Sequence, residues 1–96
     1  MINEIRSLIS HAGREWGDSM YYELLISFSE KLNMLLKENH MYGVELAKRI
    51  GVSQYAMNRW TNGYSLPRTD KFYLIAKVFN VSADWLLGLS DEKNRR

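Results

Sequence analysis

Three features are scarce in this sequence, and each scarcity excludes a class of structure or function. The 96 residues include no cysteine, so disulfides and thiolate metal sites are excluded. There is a single proline and β-branched residues seldom occur in runs, which favours helices over strands. No apolar run approaches the roughly 20 residues that a membrane-spanning helix needs, and we expect a cytoplasmic protein.

The sequence also lacks the residue groupings of an enzyme. His11 and His40 have no companion at metal-ligand spacing, so no metal site is expected. The carboxylates are dispersed, as helix-surface and capping residues would be, and none form a pair suited to acid–base catalysis. There is neither an activated nucleophile nor a glycine-rich phosphate loop. These absences predict a binding protein that is not an enzyme and needs no cofactor or small-molecule ligand.

The charge is small in total but unevenly distributed. The net charge is +2, and the length corresponds to one domain with one core. Residues 1–26 hold two basic and four acidic side chains, whereas residues 41–68 hold four basic side chains and one acidic side chain. A local basic excess is what contacts to phosphate require, although an ordinary solvated helix face gives the same pattern.

Residues 44–63, VELAKRIGVSQYAMNRWTNG, predict two short helices joined by a tight turn. The first helix carries an apolar stripe and is followed by Gly51, where a left-handed turn is needed. Ser53 suits the N-cap of a second helix over residues 54–61. Ala47 is small at the point where two steeply crossing helices would come closest. The segment therefore fits a helix-turn-helix.

Three further helices are predicted around this pair. A capping box at residues 27–30, SFSE, would begin a helix over about 28–38. Thr69 or Asp70 would cap a fourth helix, and Ser82 would cap a short fifth one. The expected core includes Met57, Trp60, Leu74, Ile75, Phe79, Trp85 and Leu86.

The flanks are less regular. Residues 90–96 are mostly charged and read as a tail or the start of a linker, which leaves residues 27–89 as the helix-turn-helix domain. Residues 1–26 form an N-terminal extension with helically spaced apolar residues at Ile2, Ile5, Leu8 and Ile9. Its apolar cluster over residues 20–26 fits a helix or a short strand, and we favour a helix. That cluster would either cover the domain's own core or join a second subunit.

The segment from Phe28 to Gly88 resembles the Cro and lambda-repressor-like (XRE-type) helix-turn-helix domains of phage and bacterial regulators. The resemblance rests on ELAKRIGVSQYAMNRWTNG, on the loop at Pro67, on LIAKVFNVSADWLLG from Leu74, and on their spacing. It implies an all-α, five-helix DNA-binding domain, here with an additional N-terminal helical segment. The third helix of such domains enters the major groove, and members commonly bind palindromic operators as dimers.

The resemblance also implies roles for individual residues. Gln54 and Asn58 carry amides that match adenine, and Arg59 either matches guanine or reaches a phosphate. The full base-reading set is Ser53, Gln54, Tyr55, Asn58 and Arg59. The residues placed to hold the phosphate chain are Tyr42, Gly43, Asn62, Tyr64, Arg68 and Lys71. At Gly43 the sequence departs from the family, because many members have a glutamine there that braces the third helix against a phosphate. Tyr42 or the helix N-terminal amides would have to supply that clamp.

The sequence therefore predicts a sequence-specific DNA-binding transcriptional regulator, a phage or bacterial repressor that acts on a palindromic operator through residues 54–61. Its expected partners are double-stranded DNA and a second copy of itself. The alternative is an antitoxin-like or adaptor protein whose helix-turn-helix holds a protein partner. The acidic, aromatic-rich N-terminal segment is the feature that keeps this alternative open.

Overall fold

The computed structural model describes residues 16–94, and this range is helical. Its helices are α1 (Trp16–Glu38), α2 (Gly43–Ile50), α3 (Gln54–Thr61), α4 (Thr69–Phe79) and α5 (Ala83–Leu87). The predicted all-α, five-helix class is confirmed. The apolar stripe predicted from Ile2 to Ile9 lies outside the described residues. None of the helices described has the length and hydropathy that crossing a membrane requires.

One cluster of buried side chains joins all five helices. Helix α1 packs against α3 and α5, α2 packs against α3 and α4, and α4 packs against α5. The fully buried apolar side chains of the cluster are Phe28, Leu32, Leu35, Leu46, Met57, Ile75, Val81 and Leu86. Trp60 and Trp85 are also buried, as predicted, while Leu74 and Phe79 are partly buried against the cluster. Burial of this apolar surface is the main force that holds such short helices together.

All five helices end in the same hydrogen-bonding pattern. One residue with positive φ follows each helix, and the next N–H donates to the carbonyl five positions earlier. The positive-φ residues are His40, Gly51, Gly63, Asn80 and Gly88. The bonds run from Met41 to Leu36, Val52 to Ala47, Tyr64 to Arg59, Val81 to Ala76 and Leu89 to Asp84, at 2.8–3.0 Å. Each turn therefore satisfies carbonyls at the helix end and fixes the direction in which the chain leaves.

The predicted serine caps are confirmed, and the predicted cap of α4 is wrong. Ser53 Oγ accepts from the Ala56 N–H at 3.0 Å, and Ser82 Oγ accepts from the Trp85 N–H at 3.2 Å. Helix α4 begins at Thr69 itself, with Arg68 as an N-cap that supplies no side-chain hydrogen bond. The Phe72 N–H donates to the Arg68 carbonyl at 2.8 Å. The helix therefore starts one residue before a cap at Thr69 would allow and two before a cap at Asp70 would allow.

The capping box predicted at residues 27–30 is also wrong, because α1 runs unbroken through it from Trp16. Leu25 and Ile26 are buried and continue the apolar series of the later turns, so burial holds this region helical. The helix favoured for residues 20–26 is confirmed, and the predicted boundary at 26/27 lies inside it. Ser27 Oγ accepts a hydrogen bond from Lys31 Nζ at 3.0 Å, one helical turn on.

Part of the predicted charged tail is attached to the domain. The Ser82 N–H donates to the Lys93 carbonyl at 2.8 Å, and Val81 forms an isolated antiparallel bridge with Asn94. Lys93 Nζ forms an ion pair with Glu38 and lies 5.6 Å from the ring centroid of Trp85. Lys93 and Asn94 therefore contact the domain near the end of α1 and the start of α5, where the sequence predicted a tail or the start of a linker.

The left-handed turns at His40 and Gly51 predict opposite changes in stability for two matched variants. Gly51→Ala should lower the free energy of unfolding by about 1–2 kcal/mol, because alanine disfavours φ of +75°. Its Cβ would meet only ordinary contact, 3.8 Å from Lys71 Nζ, so the loss is conformational. His40→Gly should raise the free energy of unfolding by about 0.5 kcal/mol. Glycine relieves the strain of the positive φ, and the greater entropy of the unfolded chain offsets part of that gain. Urea unfolding measures both, and equal effects of the same sign would contradict this assignment.

Candidate nucleic-acid interface

Helices α2 and α3 form a closely packed pair whose turn is held from outside. Ala47 is 3% exposed and Met57 is 0% exposed, so the two helices meet over small and flexible side chains. Lys71 on α4 donates from Nζ to the Ile50 carbonyl at 3.0 Å. A cation at a helix C-terminus is favourable both as a donor and through the helix dipole. This contact fastens the turn that sets the position of α3.

The structure brings the predicted base-reading residues together on one face of α3. Met57 and Trp60 point into the core, while Ser53, Gln54, Tyr55 and Asn58 are exposed and Arg59 is partly exposed. Tyr55 is the most open of them, at 71% exposure. The face presents amide, hydroxyl and guanidinium groups, which are the groups that read base edges in a major groove.

The two amides of this face are bonded to each other. Gln54 Nε2 donates to Asn58 Oδ1 at 2.7 Å, one helical turn apart. The bond leaves the Gln54 Oε1 acceptor and the Asn58 Nδ2 donors available, and it holds the two side chains as one unit. An acceptor and a donor side by side are what the major-groove edge of adenine requires.

Gly43 allows α2 to begin close against α3. A Cβ at this position would lie 3.1 Å from Met57 Cγ, which is a tight contact, and 3.9 Å from Gln54 Nε2, which is an ordinary one, so a side chain would press on the core. No side chain caps the first amides of α2, because Tyr42 makes no capping hydrogen bond. The side chain that holds Gln54 is that of Asn58.

The predicted phosphate-contact residues lie at both ends of the helix pair. Tyr42, Asn62, Tyr64 and Arg68 are exposed, and Gly43 is partly exposed. The Asn62 amide donates to the Asn58 carbonyl at 2.8 Å and so also caps α3. Lys71 differs from the rest of the set because its ammonium group already holds the Ile50 carbonyl. Its stated role in phosphate contact remains a prediction.

One residue that the sequence reasoning missed ties α3 to α1. Asn33 Nδ2 donates to the Thr61 carbonyl at 2.8 Å and to the Ser29 carbonyl at 2.9 Å. An asparagine in the middle of a helix is typically a surface residue, so its own helix gives no sign of the contact. The bond satisfies one carbonyl at the end of α3 and fixes that end against the longest helix of the fold.

The positive charge near α3 is available to a partner. Among residues 16–94, neither Arg59 nor Arg68 forms an ion pair with a carboxylate. Arg49 is paired with Glu45 at 3.4 Å, both of them exposed, so part of the basic excess on α2 is offset internally. Arg59 instead lies near the rings of Tyr55 and Tyr64. Arg59, on α3, and Arg68, at the start of α4, therefore have no carboxylate partner within residues 16–94.

Comparison with known proteins agrees with this geometry. The family model described as helix-turn-helix matches residues 32–86. The chain is 28% identical over 65 residues to an uncharacterized HTH-type transcriptional regulator, YobD, of Bacillus subtilis, covering 68% of this chain and 58% of that one. It is 38% identical over 53 residues to the 26 kDa repressor protein of Escherichia phage HK022, covering 55% of this chain and 23% of the repressor.

Two further proteins are similar to this chain. The HTH-type transcriptional activator BcrR of Enterococcus faecalis is 30% identical over 76 residues, which cover 73% of this chain and 37% of the activator. The matched segments thus span less than two thirds of each of the three relatives. The solution structure of the SOS-response transcriptional repressor LexA from Eubacterium rectale is 34% identical with a TM-score of 0.65, covering 68% of this chain and 69% of that one.

The contact between Lys71 and Ile50 predicts a loss of stability on mutation. Lys71→Met keeps most of the aliphatic stem but leaves the Ile50 carbonyl without its donor, so the free energy of unfolding should fall by about 1 kcal/mol. Lys77→Met on the same helix is the control, because Lys77 Nζ lies over the Tyr73 ring and caps nothing among the described residues. Thermal or urea unfolding that finds the two variants equally stable would remove the capping role of Lys71.

Proposed function

This chain belongs to the helix-turn-helix family, and from that premise we propose that it is a sequence-specific DNA-binding regulator of transcription. The observation that carries the proposal is the exposed face of α3, where an amide pair and an unpaired guanidinium group stand together outside the core. A regulator of this kind acts by occupying its site, and the domain needs no chemistry beyond binding. The likeness to a phage repressor supports repression as its mode of action.

Sequence preference would come from the base-reading set on α3. The bonded amides of Gln54 and Asn58 would read adenine, and Arg59 would read guanine. Each good bidentate contact is worth about 1–3 kcal/mol of discrimination. Ser53 and Tyr55 lie on the same exposed face and complete the set. The Ser53 hydroxyl also caps α3, because its Oγ accepts from the Ala56 N–H.

Affinity would come mainly from the phosphate-contact residues around the helix pair. Contacts of this kind release counterions from the duplex and are therefore salt-dependent. Arg68 is exposed at the start of α4 and has no carboxylate partner within the described residues. The amides at the start of α2, at Gly43, are uncapped and add a neutral anchor of the type that helix N-termini provide.

Arg68→Ala tests the proposed anchoring. The variant should weaken binding to all duplex sequences alike and reduce the slope of log Kd against log salt by about one unit. Lys77→Met is the comparison, because it removes one positive charge outside the proposed contact set and should change the slope less. Fluorescence anisotropy over a salt series measures both slopes. Folded Arg68→Ala protein with the wild-type slope would exclude Arg68 from the contact set.

The same titration separates the proposal from its alternative, an antitoxin-like or adaptor protein whose helix-turn-helix binds another protein. A DNA-binding domain loses affinity for bulk duplex steeply as salt rises, whereas an adaptor has little affinity to lose. Weak, salt-independent binding by the wild-type chain would favour the adaptor.

We also propose that two copies of the chain act together on a palindromic operator. One helix-turn-helix reads only half of such a site, and joining two raises the effective concentration of the second. An apolar groove between the first turns of α1 and the end of α5 supports this arrangement. It is lined by Met20, Tyr21, Leu24, Leu87 and Leu89, among others, and Met20 and Leu89 are more than half exposed.

The double variant Met20→Gln/Leu89→Gln tests this groove as the contact between copies. It should weaken binding to a full palindrome about tenfold or more while leaving binding to a half-site unchanged. Met34→Gln is the control, since Met34 is an exposed methionine on the same helix that does not line the groove. If the double variant binds both sites like the wild type, or if light scattering finds the wild type monomeric on a full palindrome, the arrangement is contradicted.

A further inference from the structure

Arg59, in the last turn of α3, has its guanidinium group near two tyrosine rings. Its guanidinium carbon lies 5.9 Å from the ring centroid of Tyr55 and 5.8 Å from that of Tyr64. Both distances are within the range over which a guanidinium group is attracted to a ring face. The tyrosines are exposed and Arg59 is partly buried, and the two rings lie beside the side chain that the proposed function uses for guanine.

The position of Tyr64 follows from the turn that ends α3. Gly63 has φ of 78°, the Gly63 N–H donates to the Trp60 carbonyl at 3.3 Å, and the Tyr64 N–H donates to the Arg59 carbonyl at 2.9 Å. In this motif the residue after the left-handed position donates its backbone N–H to a carbonyl in the last turn of the helix. Its side chain then packs against the residue that supplies that carbonyl. The backbone of Arg59 therefore anchors Tyr64, and the ring of Tyr64 returns to the guanidinium group.

This arrangement leaves the hydrogen-bonding edge of Arg59 available. A ring face attracts the cation electrostatically and uses none of its N–H donors. The five donors of a guanidinium group lie in one plane, so restricting that plane restricts the direction in which a bidentate contact forms. Arginine otherwise loses much rotamer freedom when it binds, and a side chain that is already held loses less.

We propose that Tyr64 is a positioning residue for base reading, whose ring holds the Arg59 guanidinium in the orientation that reads a guanine. The inference rests on the proposed DNA-binding function. It differs from the phosphate contact that the family resemblance implies for Tyr64, because the ring rather than the hydroxyl group is the part that acts. Tyr55 assists from the preceding turn, four residues before Arg59.

The test compares variants of Tyr64 on a site selected by the wild-type chain from random duplexes. The base pair read by Arg59 is first identified as the position where Arg59→Ala loses preference. The ratio of Kd values for the selected site and for the site with that pair exchanged is then measured. Tyr64→Phe should keep the wild-type ratio, and Tyr64→Leu should lower it about two- to fivefold, the size of an exposed cation–π contact.

Two controls make the result specific. Tyr73→Leu removes a comparably exposed tyrosine that lies near Lys77 on α4, and it should leave the ratio unchanged. In the Arg59→Ala background, Tyr64→Leu should cause no further loss, because its effect passes through Arg59. In the free protein, the Cδ protons of Arg59 should be shifted upfield by the rings, and the shift should shrink in Tyr64→Leu but persist in Tyr64→Phe.

The outcomes that overturn the inference are distinct from those that overturn the function. If Tyr64→Phe loses as much as Tyr64→Leu, or if Tyr64→Leu weakens every sequence alike, Tyr64 acts as a phosphate contact and the inference is wrong. Unchanged Arg59 proton shifts in Tyr64→Leu overturn it without reference to DNA. A wild-type chain that selects no sequence contradicts the proposed function itself, and the inference with it.

Discussion

The left-handed turn at Gly51 sets the angle between α2 and α3, and every property proposed for the surface of α3 depends on that angle. The turn closes with the Val52 N–H on the Ala47 carbonyl, and Lys71 holds the adjoining Ile50 carbonyl from α4. Since Ala47 and Met57 are fully packed, the pair has little freedom to shift. Contacts with bases need fixed geometry. A rigid α2–α3 pair would therefore hold the exposed side chains of α3 in the positions that such contacts require.

The second end of α3 is fixed by different means. Asn33 holds the Thr61 carbonyl from α1, and the turn at Gly63 returns Tyr64 to Arg59. The helix is only eight residues long, so it would be marginal without such tertiary contacts. Its polar face is ordered by its own members, through the bond between Gln54 and Asn58 and the contact of Arg59 with two tyrosines. The exposed face of α3 therefore has much of its order before any partner binds.

Sequence reasoning found most of the local turns and caps, and it missed the contacts between distant parts of the chain. Gly51, Ser53 and Ser82 act on residues within a few positions, and each was predicted correctly. The start of α1 was missed because SFSE satisfies the capping pattern, yet burial of Leu25 and Ile26 keeps the chain helical through it. The contacts of Lys71, Asn33 and Lys93 join positions 21, 28 and 55 residues apart. No pattern within one helix predicts such pairs.

The central claim is that the exposed face of α3 reads bases, and selection from random duplex DNA tests it most directly. The account predicts that the wild-type chain enriches a defined sequence and that Gln54→Ala loses preference at the adenine contacted by the amide pair while keeping the other positions. The account would be contradicted if folded Gln54→Ala enriched the same sequence as the wild type, with equal preference at every position.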